Sequence, residues 1–414
     1  MTNEPPTPQP GELLRLPEEL AVLAERDAVV RAWVAHHDAR TLEQAHTGAP
    51  DGMLGGWTLG VKDVIDTADF GTERGSPIYR GRRTDNDAAC VAMARRAGAV
   101  VIGKTTTTEF ALFTPAATTN PHDATRTPGG SSSGSAAAVA AGMVRAAFGT
   151  QTVGSVIRPA AYCGVVGFKP THGLVPLAGV GSLAPSFDTV GWFTRDVADT
   201  ATVLQALSGI EAGSTAADRA PRIGVYRSHQ WGSADPETEI ALVEAATRLE
   251  AAGFEVTERE PLRHLDGVFE AADTVLHHEV ARVFAWERDH HWDLISPLLQ
   301  RMLGNADRVD AAVLVEARLL LDQATHAHTE YLRAEGLDAI VTPSAPGVAP
   351  PIETTGNSVF NRTWTALGVP CVHLPTGSGP LGLPLGIQLT GHRWGDAALL
   401  HVASRAERAL EASP

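Results

Sequence analysis

Lysine is almost absent from this sequence. Lysine and arginine together number 33 among 414 residues, but only Lys62, Lys104 and Lys169 are lysines, and the other 30 are arginines. An arginine stays protonated, whereas a buried lysine can lose its proton and act as a base. Since arginine serves wherever plain positive charge suffices, each lysine is a candidate for base chemistry, with codon bias and packing as the alternative explanation.

Long apolar runs and basic stretches are also missing. No segment approaches the roughly 18 apolar residues of a membrane helix, and the opening, MTNEPPTPQPGELLRLPEEL, lacks the pattern of a secretory signal. The net charge is −15 without a basic stretch, which argues against binding to nucleic acid or to an anionic membrane.

Cysteine is scarce as well. The three cysteines, Cys90, Cys163 and Cys371, are widely spaced and lie in apolar or Pro/Gly-rich contexts. An odd number with this spacing indicates buried free thiols in a reducing compartment. We therefore expect a cytoplasmic protein.

Apolar strand-like segments alternate with helix-like segments along the chain. The predicted strands lie in residues 57–66, 99–102, 144–152, 164–176, 222–227, 337–351, 368–377 and 382–391. The predicted helices lie in residues 11–46, 87–97, 132–144, 237–253 and 311–336. This alternation predicts an α/β fold whose sheet is covered on both faces.

No repeat or clear linker divides the chain. We predict one domain over residues 1–414, with a helix-rich excursion at residues 196–335 and a loose Pro-rich tail at residues 1–10.

The densest chemical signal lies in residues 129–160, GGSSSGSAAAVAAGMVRAAFGTQTVGSVIRPA. Three serines, 131–133, open a helix, a place that favours negative charge. Farther on, Gly149 and Gly154 flank a polar turn after a strand, which presents Ser155 beside backbone N–H groups that can stabilise an oxyanion. A serine-rich cap and an ordinary glycine turn are the alternative for either piece alone.

A serine nucleophile needs a base because its hydroxyl is too weakly acidic to attack unaided. Lys62, in GVKDVID, lies at the end of a predicted strand among apolar residues. Desolvation there would lower the pKa of the amine and make its neutral form accessible. An ion pair with Asp63 or Asp66 is the alternative that the sequence leaves open.

These segments resemble the amidase signature family. The resemblance is carried by GVKD, GGSSSGSAAAVAAG and GTQTVGSVIRPAAYCGVVGFKPTHG, and extended by DAACVAMARRAGAVVIGKTTTTEF, SFDTVG, LDAIVTPSAPGVAPP, GVPCVHLPTG and GLPLGIQLTG. It is strong over about 55–200 and 337–391 and weak in the helical middle. It implies the amidase signature fold, a large mixed β-sheet with helices on both faces (an α/β/α sandwich). The short chain, GGSSSGS and GTQT are most similar to malonamidase-type enzymes.

The resemblance also implies roles for particular residues. Ser155 matches the acylating nucleophile, Ser131 the serine after a cis peptide bond that links nucleophile and base, and Lys62 the base. The oxyanion hole matches the backbone N–H groups of Thr152, Val153, Gly154 and Ser155. The implied chemistry needs no metal and no organic cofactor.

Two positions leave questions open. The family usually has two glycines before the nucleophile, and here the first is Val153, whose β-branched side chain resists positive φ and could crowd the acyl pocket. Arg158 could bind a substrate carboxylate through two parallel hydrogen bonds, as in an acidic, malonamate-like monoamide. Since the family keeps an arginine there with quite different substrates, a structural role for Arg158 is equally open.

Three other motifs lack the surrounding sequence that their usual function requires. GAVVIGKT (98–105) matches a phosphate-binding loop, but Ala-Val-Val-Ile favours a strand. GSSSG (130–134) matches a nucleophile elbow centred on Ser132, but no strand precedes it. The adjacent histidine pairs point apart on a helix and lack a zinc motif. They are His36–His37, His277–His278 and His290–His291.

The sequence therefore predicts an amidohydrolase that cleaves a C–N bond of a small amide, carbamate or related substrate through an acyl-enzyme. The alternatives are an amidotransferase A-type subunit that supplies ammonia within a complex and a catalytically impaired binding relative. We expect a small-molecule substrate, neither nucleic acid nor membrane as partner, and a homodimer as one possible assembly.

Overall fold

Eleven strands form one sheet in the part of the chain that the structure describes. The computed structural model describes residues 16–212, 219–306 and 310–411, and the predicted tail at residues 1–10 lies outside them. The strands are β1 (Trp33–His36), β2 (Thr58–Lys62), β3 (Val100–Thr105), β4 (Ala146–Gln151), β5 (Val166–Lys169), β6 (Thr189–Thr194), β7 (Arg222–Val225), β8 (Glu255–Glu258), β9 (Ala339–Pro343), β10 (Cys371–Ser378) and β11 (Pro384–Thr390).

Parallel and antiparallel neighbours both occur, so the mixed sheet is confirmed. The strand order is β1-β3-β2-β4-β6-β5-β10-β11-β9-β7-β8. Strand β2 runs parallel to β3 and β4, and β7 runs parallel to β8 and β9, while the remaining neighbours are antiparallel. Since β2 and β4 are parallel neighbours, their carboxyl ends, at Lys62 and Gln151, lie at one edge of the sheet.

Helices cover both faces. They are α1 (Leu16–Val30), α2 (Ala39–Thr47), α3 (Ala89–Arg96), α4 (Ser133–Ala140), α5 (Ile157–Cys163), α6 (Val197–Ser208), α7 (Pro236–Ala251), α8 (Val268–Val283), α9 (Ala285–His290), α10 (Pro297–Ala306), α11 (Ala311–Glu335), α12 (Arg362–Ala366) and α13 (Asp396–Glu411). Among these described helices, none has the length and apolar character needed to cross a membrane.

Alternation along the strands divides the core between the two faces. Phe148 and Trp192 pack into the apolar cluster that includes residues of α6, α7 and α13. Their neighbours in sequence, Ala147 and Phe193, pack into a second cluster with α4 and α5. Because successive strand residues point to opposite faces, the predicted two-sided cover is confirmed.

The helix-rich segment at residues 196–335 contains α6 to α11 and also two strands. Strand β7 was predicted, but β8 was not, because its four residues are mostly exposed at the sheet edge and show no apolar pattern. Strands β1 and β6 were also missed. The segment builds a separate apolar cluster beneath α8, α10 and α11. That the chain forms a single domain stays a prediction.

Helix α4 lies close to the sheet because its residues are small. Gly134 donates its N–H to the Thr106 carbonyl at 3.0 Å. A Cβ at this glycine would lie 2.2 Å from the Ala32 carbonyl oxygen and 2.4 Å from the Thr106 nitrogen. Both atoms belong to backbone, so the contact cannot be relieved by a side-chain rotation. The glycine thus sets how closely the start of α4 approaches the backbone before β1 and after β3.

We expect Gly134→Ala to lower the free energy of unfolding by about 3 kcal/mol, because over-packing against fixed backbone forces main-chain shifts. Urea unfolding followed by circular dichroism measures this. Gly232→Ala is the control, since a Cβ there meets nothing within 4 Å, and its unfolding midpoint should stay close to that of the wild type. Equal midpoints for the two variants would contradict the close-packing argument.

Candidate functional site

The side chain of Lys62 is the centre of the candidate site. It is fully buried at the carboxyl end of β2. Its Nζ donates to Ser131 Oγ at 2.8 Å and to Thr150 Oγ1 at 2.7 Å. Burial lowers the pKa of the Lys62 amine well below its ordinary value, and the nearby Arg158 charge acts in the same direction against the opposing effect of Asp188. The neutral amine is therefore more accessible than in a solvent-exposed lysine.

The two aspartates that could have paired with Lys62 have other partners. Asp63 Oδ1 lies 3.3 Å from Lys104 Nζ, and the Asp66 carboxylate accepts from the Arg82 guanidinium at 2.6 and 3.1 Å. Lys62 is the last residue of β2 and Asp63 begins the turn that follows, and their side chains reach different partners. The ion pair that the sequence left open for Lys62 is not formed.

Backbone contacts hold the segment that carries Ser131. The Gly130–Ser131 peptide bond is cis. The Gly130 carbonyl accepts from Arg158 Nη2 at 2.5 Å, and the Ser131 carbonyl accepts from the Thr108 N–H at 3.2 Å. With both carbonyls engaged, the Ser131 hydroxyl faces the Lys62 amine.

Ser155 lies in the turn between β4 and α5. It is buried, with 5% of its surface exposed. Neighbouring residues bind the turn: Thr152 Oγ1 donates to Asp188 Oδ1 at 2.6 Å, and Thr365 Oγ1 lies 3.0 Å from the Val153 carbonyl oxygen. Within the described residues, the backbone N–H groups of positions 152–155 donate to no other group. Four backbone donors of this turn, including that of Ser155 itself, are therefore unpaired in the described residues.

The structure brings the segments of Lys62, Ser131 and Ser155 together to different degrees. Lys62 and Ser131 are directly hydrogen-bonded. Ser155 makes no side-chain hydrogen bond among the described residues, but its turn adjoins the Ser131 segment, since Arg158 on α5 binds the Gly130 carbonyl. Catalytic hydrogen bonds often shorten only when substrate binds. A hydrogen bond between Ser131 and Ser155 therefore stays a prediction.

Val153 does not adopt the positive φ that would strain a β-branched residue at this position. Its φ lies outside the left-handed region, so a β-branched residue fits without backbone strain. Its side chain is 4% exposed and joins the apolar cluster of α8, α10 and α11. At Gly154, by contrast, a Cβ would lie 2.6 Å from Asn361 Oδ1. Only the second glycine position is constrained by close approach.

Arg158 faces the Ser131 segment. Besides Gly130, its guanidinium donates to the Gly356 carbonyl at 3.1 Å, and its Nε is buried with no partner among the described residues. Burial lowers the pKa of Arg158 to about 10. These contacts favour a role in positioning the cis peptide. Binding of a substrate carboxylate by Arg158 stays a prediction.

A cavity of about 450 Å³ is lined by residues that contact Arg158 and Gly154, but not by Lys62, Ser131 or Ser155. Phe113 lines it, and the centroid of the Phe113 ring is 5.6 Å from the Arg158 guanidinium carbon. Ser358 also lines it, and its Cβ lies 2.8 Å from where a Cβ on Gly154 would be. Phe113 and Ser358 therefore separate the cavity from Arg158 and from the turn before Ser155.

Sequence reasoning missed four residues that contact the candidate site. These are Thr150, Gln151, Asp188 and Thr365. Asp188 accepts from the Ser182 hydroxyl and the Leu183 N–H as well as from Thr152, and it lies in SFDTVG, a segment that carried the resemblance without an assigned role. Thr365 is distant in sequence, and no local pattern pointed to it.

The other two lysines have structural contacts. Lys104 lies within β3, as the strand interpretation of GAVVIGKT predicts. Its Nζ donates to the Ile65 carbonyl and to Thr72 Oγ1, each at 2.7 Å. Lys169 Nζ donates to the Pro170 carbonyl at 2.8 Å. Within the described ranges, no group of three histidine, cysteine or acidic side chains is arranged to hold a metal ion.

Comparison with known proteins shows the family. The family model described as Amidase matches residues 28–400. The chain belongs to the Amidase family. The A-type subunit of the glutamyl-tRNA(Gln) amidotransferase of Cereibacter sphaeroides (strain KD131) is 31% identical over 463 residues, covering 96% of this chain and 94% of that protein.

Two solved amidase structures are also similar. Native peptide amidase from Stenotrophomonas maltophilia superposes with a TM-score of 0.80 at 30% identity, covering 96% of this chain and 93% of the other. The 6-aminohexanoate cyclic dimer hydrolase complexed with substrate gives a TM-score of 0.85 at 25% identity, covering 97% and 95%. The chain is thus similar over nearly its whole length to a peptide amidase, to a cyclic dimer hydrolase and to one subunit of an amidotransferase.

We expect Lys62 to titrate at a lower pH than Lys104, because burial disfavours its charge and no carboxylate of the described chain pairs with it, whereas Asp63 supports the Lys104 charge. Heteronuclear NMR of protein with isotope-labelled lysine measures this. With three lysines in the chain, variants such as Lys62→Met assign each signal. A Lys62 signal that titrates near 10.5, the ordinary value, would mean that the amine is charged at neutral pH.

We expect Val153→Ala to lower the free energy of unfolding by about 2 kcal/mol, because two buried methyl groups are removed from the apolar cluster. Val315→Ala on α11 is the matched control, since Val315 is 55% exposed, and it should shift the urea midpoint little. If the two variants unfold at the same urea concentration, Val153 does not pack as described.

Proposed function

We propose that this protein is an amidohydrolase that cleaves the C–N bond of a small amide-type substrate through an acyl-enzyme. Ser155 is the nucleophile, Ser131 relays protons and Lys62 is the base. The backbone N–H groups of Thr152, Val153, Gly154 and Ser155 form the oxyanion hole. The observation that carries the proposal is the buried Lys62 amine hydrogen-bonded to the Ser131 hydroxyl, because a lysine that is neutral and joined to a serine is a base with a relay.

In the acylation step, the Ser155 oxygen attacks the substrate carbonyl carbon while its proton passes to Ser131 Oγ. The Ser131 proton passes at the same time to Lys62, which becomes an ammonium. The carbonyl oxygen gains negative charge, which the four backbone donors stabilise. The C–N bond then breaks, and the proton returns through Ser131 to the leaving nitrogen, which departs as an amine.

Deacylation repeats the relay with water. Water attacks the Ser155 ester, and its proton passes through Ser131 to Lys62. When the intermediate collapses, the C–O bond to Ser155 breaks, the proton returns through Ser131 to the Ser155 oxygen, and the carboxylic acid is released. No step in this cycle calls for a metal or an organic cofactor.

We also propose a substrate class. Arg158 lies close to the candidate site, and its Nε has no partner among the described residues, which supports an acidic monoamide of the malonamate kind as substrate. Nearness to malonamidase-type enzymes within the family stays a prediction. The three buried free cysteines support a cytoplasmic location.

The second candidate is an amidotransferase A-type subunit. The observation that favours it is the 31% identity to the corresponding subunit of a glutamyl-tRNA(Gln) amidotransferase over 96% of the chain. That candidate predicts partner chains that co-purify with the protein and raise its glutaminase activity, whereas the amidohydrolase acts alone. A catalytically impaired relative would show neither activity.

We expect a serine-directed fluorophosphonate to label Ser155 and no other serine, because only Ser155 combines a nucleophile with the oxyanion donors. Ser155→Ala and Lys62→Ala should abolish both labelling and turnover, and Ser131→Ala should lower both severely. Intact-mass analysis and peptide mapping locate the adduct.

Ser132→Ala tests the competing nucleophile-elbow arrangement, and in that variant the adduct should still form on Ser155. An adduct on Ser132 in the wild type, or near-normal turnover by Lys62→Ala, would overturn the assignment of the three roles.

A further inference from the structure

Gln151, the last residue of β4, binds across the turn that carries Ser155. Its side chain is fully buried. Oε1 accepts from the Val156 N–H at 2.9 Å and from the Ile157 N–H at 3.0 Å. These donors lie on the far side of the turn from Gln151 itself, so one side chain ties the residue before the turn to the residues after it. The two ends of the turn are thereby held at a fixed separation.

The other end of the Gln151 amide reaches a different element. Nε2 donates to Thr365 Oγ1 on α12 at 2.8 Å. The same hydroxyl lies 3.0 Å from the Val153 carbonyl oxygen and 3.0 Å from the Asn361 carbonyl oxygen. A hydroxyl has one proton and two acceptor sites, so when it accepts from Gln151 its proton is available to the Val153 carbonyl.

Holding the Val153 carbonyl also orients an oxyanion donor. The peptide unit is planar and trans units place C=O and N–H on opposite sides. When the Val153 carbonyl points at Thr365, the N–H of Gly154 points away from α12, on the side opposite Thr365. Without the contact, this peptide unit could rotate, since glycine at the next position tolerates a wide range of backbone angles.

We propose that Gln151 and Thr365 form a clamp that positions the oxyanion donors before Ser155, a role that rests on the proposed function. Neither residue touches the substrate in this proposal, so both are positioning residues. Gln151 fixes the ends of the turn, and Thr365 fixes the Val153–Gly154 peptide within it. An amide suits position 151 because one end must accept from two N–H groups while the other donates to a hydroxyl.

The chemistry of the side chains separates this role from plain packing. Gln151→Glu keeps the oxygen that accepts from Val156 and Ile157 but replaces the donor to Thr365 with an acceptor. The Thr365 proton would then turn toward the carboxylate and leave the Val153 carbonyl. Thr365→Val keeps the volume and removes the hydroxyl, while Thr365→Ser keeps the hydroxyl.

The matched control is Thr342→Val. Thr342 is a buried threonine on β9 whose hydroxyl has no partner among the described residues. Replacing it removes a buried hydroxyl without breaking a hydrogen bond. Effects shared by Thr342→Val and Thr365→Val therefore report general packing, and effects limited to Thr365→Val report the clamp.

The test measures the second-order rate constant for fluorophosphonate labelling of Ser155, together with the urea midpoint of each variant. The phosphonyl oxygen occupies the oxyanion position, so mispositioned donors slow labelling. We expect Thr365→Val and Gln151→Glu each to slow labelling about 10- to 100-fold, less than or similar to the loss of one oxyanion donor. Thr365→Ser should stay within about threefold of the wild type, and Thr342→Val should label at the wild-type rate.

The double variant gives a further readout. Because Gln151 and Thr365 act through one contact, Gln151→Glu combined with Thr365→Val should slow labelling about as much as the worse single variant. Where substrate turnover is measurable, the loss should fall on kcat with KM little changed, since ground-state binding does not use the donors.

The outcomes distinguish a failure of the clamp from a failure of the proposed function on which it rests. If the wild type labels at Ser155 and Thr365→Val labels as fast as Thr342→Val, the clamp is wrong and the proposed function stands. If the wild type forms no Ser155 adduct, the proposed function fails and the clamp fails with it. Should Thr365→Val not fold, Gln151→Glu and Thr365→Ser carry the comparison, and equal labelling by these two would overturn the clamp.

Discussion

The structure depends on the burial of one amine without a counterion in the described part of the chain. Lys62 has lost its hydration and has gained two hydroxyl contacts, to Ser131 and Thr150, rather than a carboxylate. A buried ammonium left in that state would be costly, so the surroundings lower the pKa of the Lys62 amine. The placement of Asp63 on Lys104 and of Asp66 on Arg82 belongs to the same arrangement, because it keeps nearby negative charge engaged elsewhere. The fold must therefore exclude water from the Lys62 amine and also provide cationic partners for the two aspartates near it.

The mixed sheet makes that arrangement possible. Parallel pairing of β2 with β4 brings two strand ends to one edge, and the small residues of α4 allow the Ser131 segment to approach that edge closely. Contacts from remote parts of the chain then fix the turn before Ser155. Asp188 precedes β6, Thr365 lies on α12, and Arg158 joins α5 to the cis peptide. Several separate segments therefore determine the shape of the five-residue turn between β4 and α5.

Local pattern was enough to predict the α/β class, most of the strands and the importance of Lys62 among three lysines. The resemblance added the mixed sheet, and both it and the two-sided cover agree with the structure. Strands β1 and β8 were missed because most of their residues are exposed and they show little apolar pattern, whereas the equally short β5 and β7 are mostly buried and were predicted. The partners of the candidate site escaped for another reason. Thr365 contacts Val153 although the two are 212 residues apart in sequence, and the residues around a threonine do not indicate such a long-range contact. The concern over Val153 came from a rule about glycine, whereas the backbone at that position has an ordinary φ and the side chain fills an apolar cluster.

The pleat of β2 has a consequence of its own. Lys62 ends β2 and Asp63 begins the turn that follows, and the amine contacts Ser131 while the acid lies beside Lys104. A deletion of one residue upstream within β2 would exchange the two faces. The acid would then lie against the serine and the amine beside another amine, so the same composition would assemble two repelling or mismatched pairs. The length of this strand, and not only the identity of its last residue, is therefore part of the chemistry.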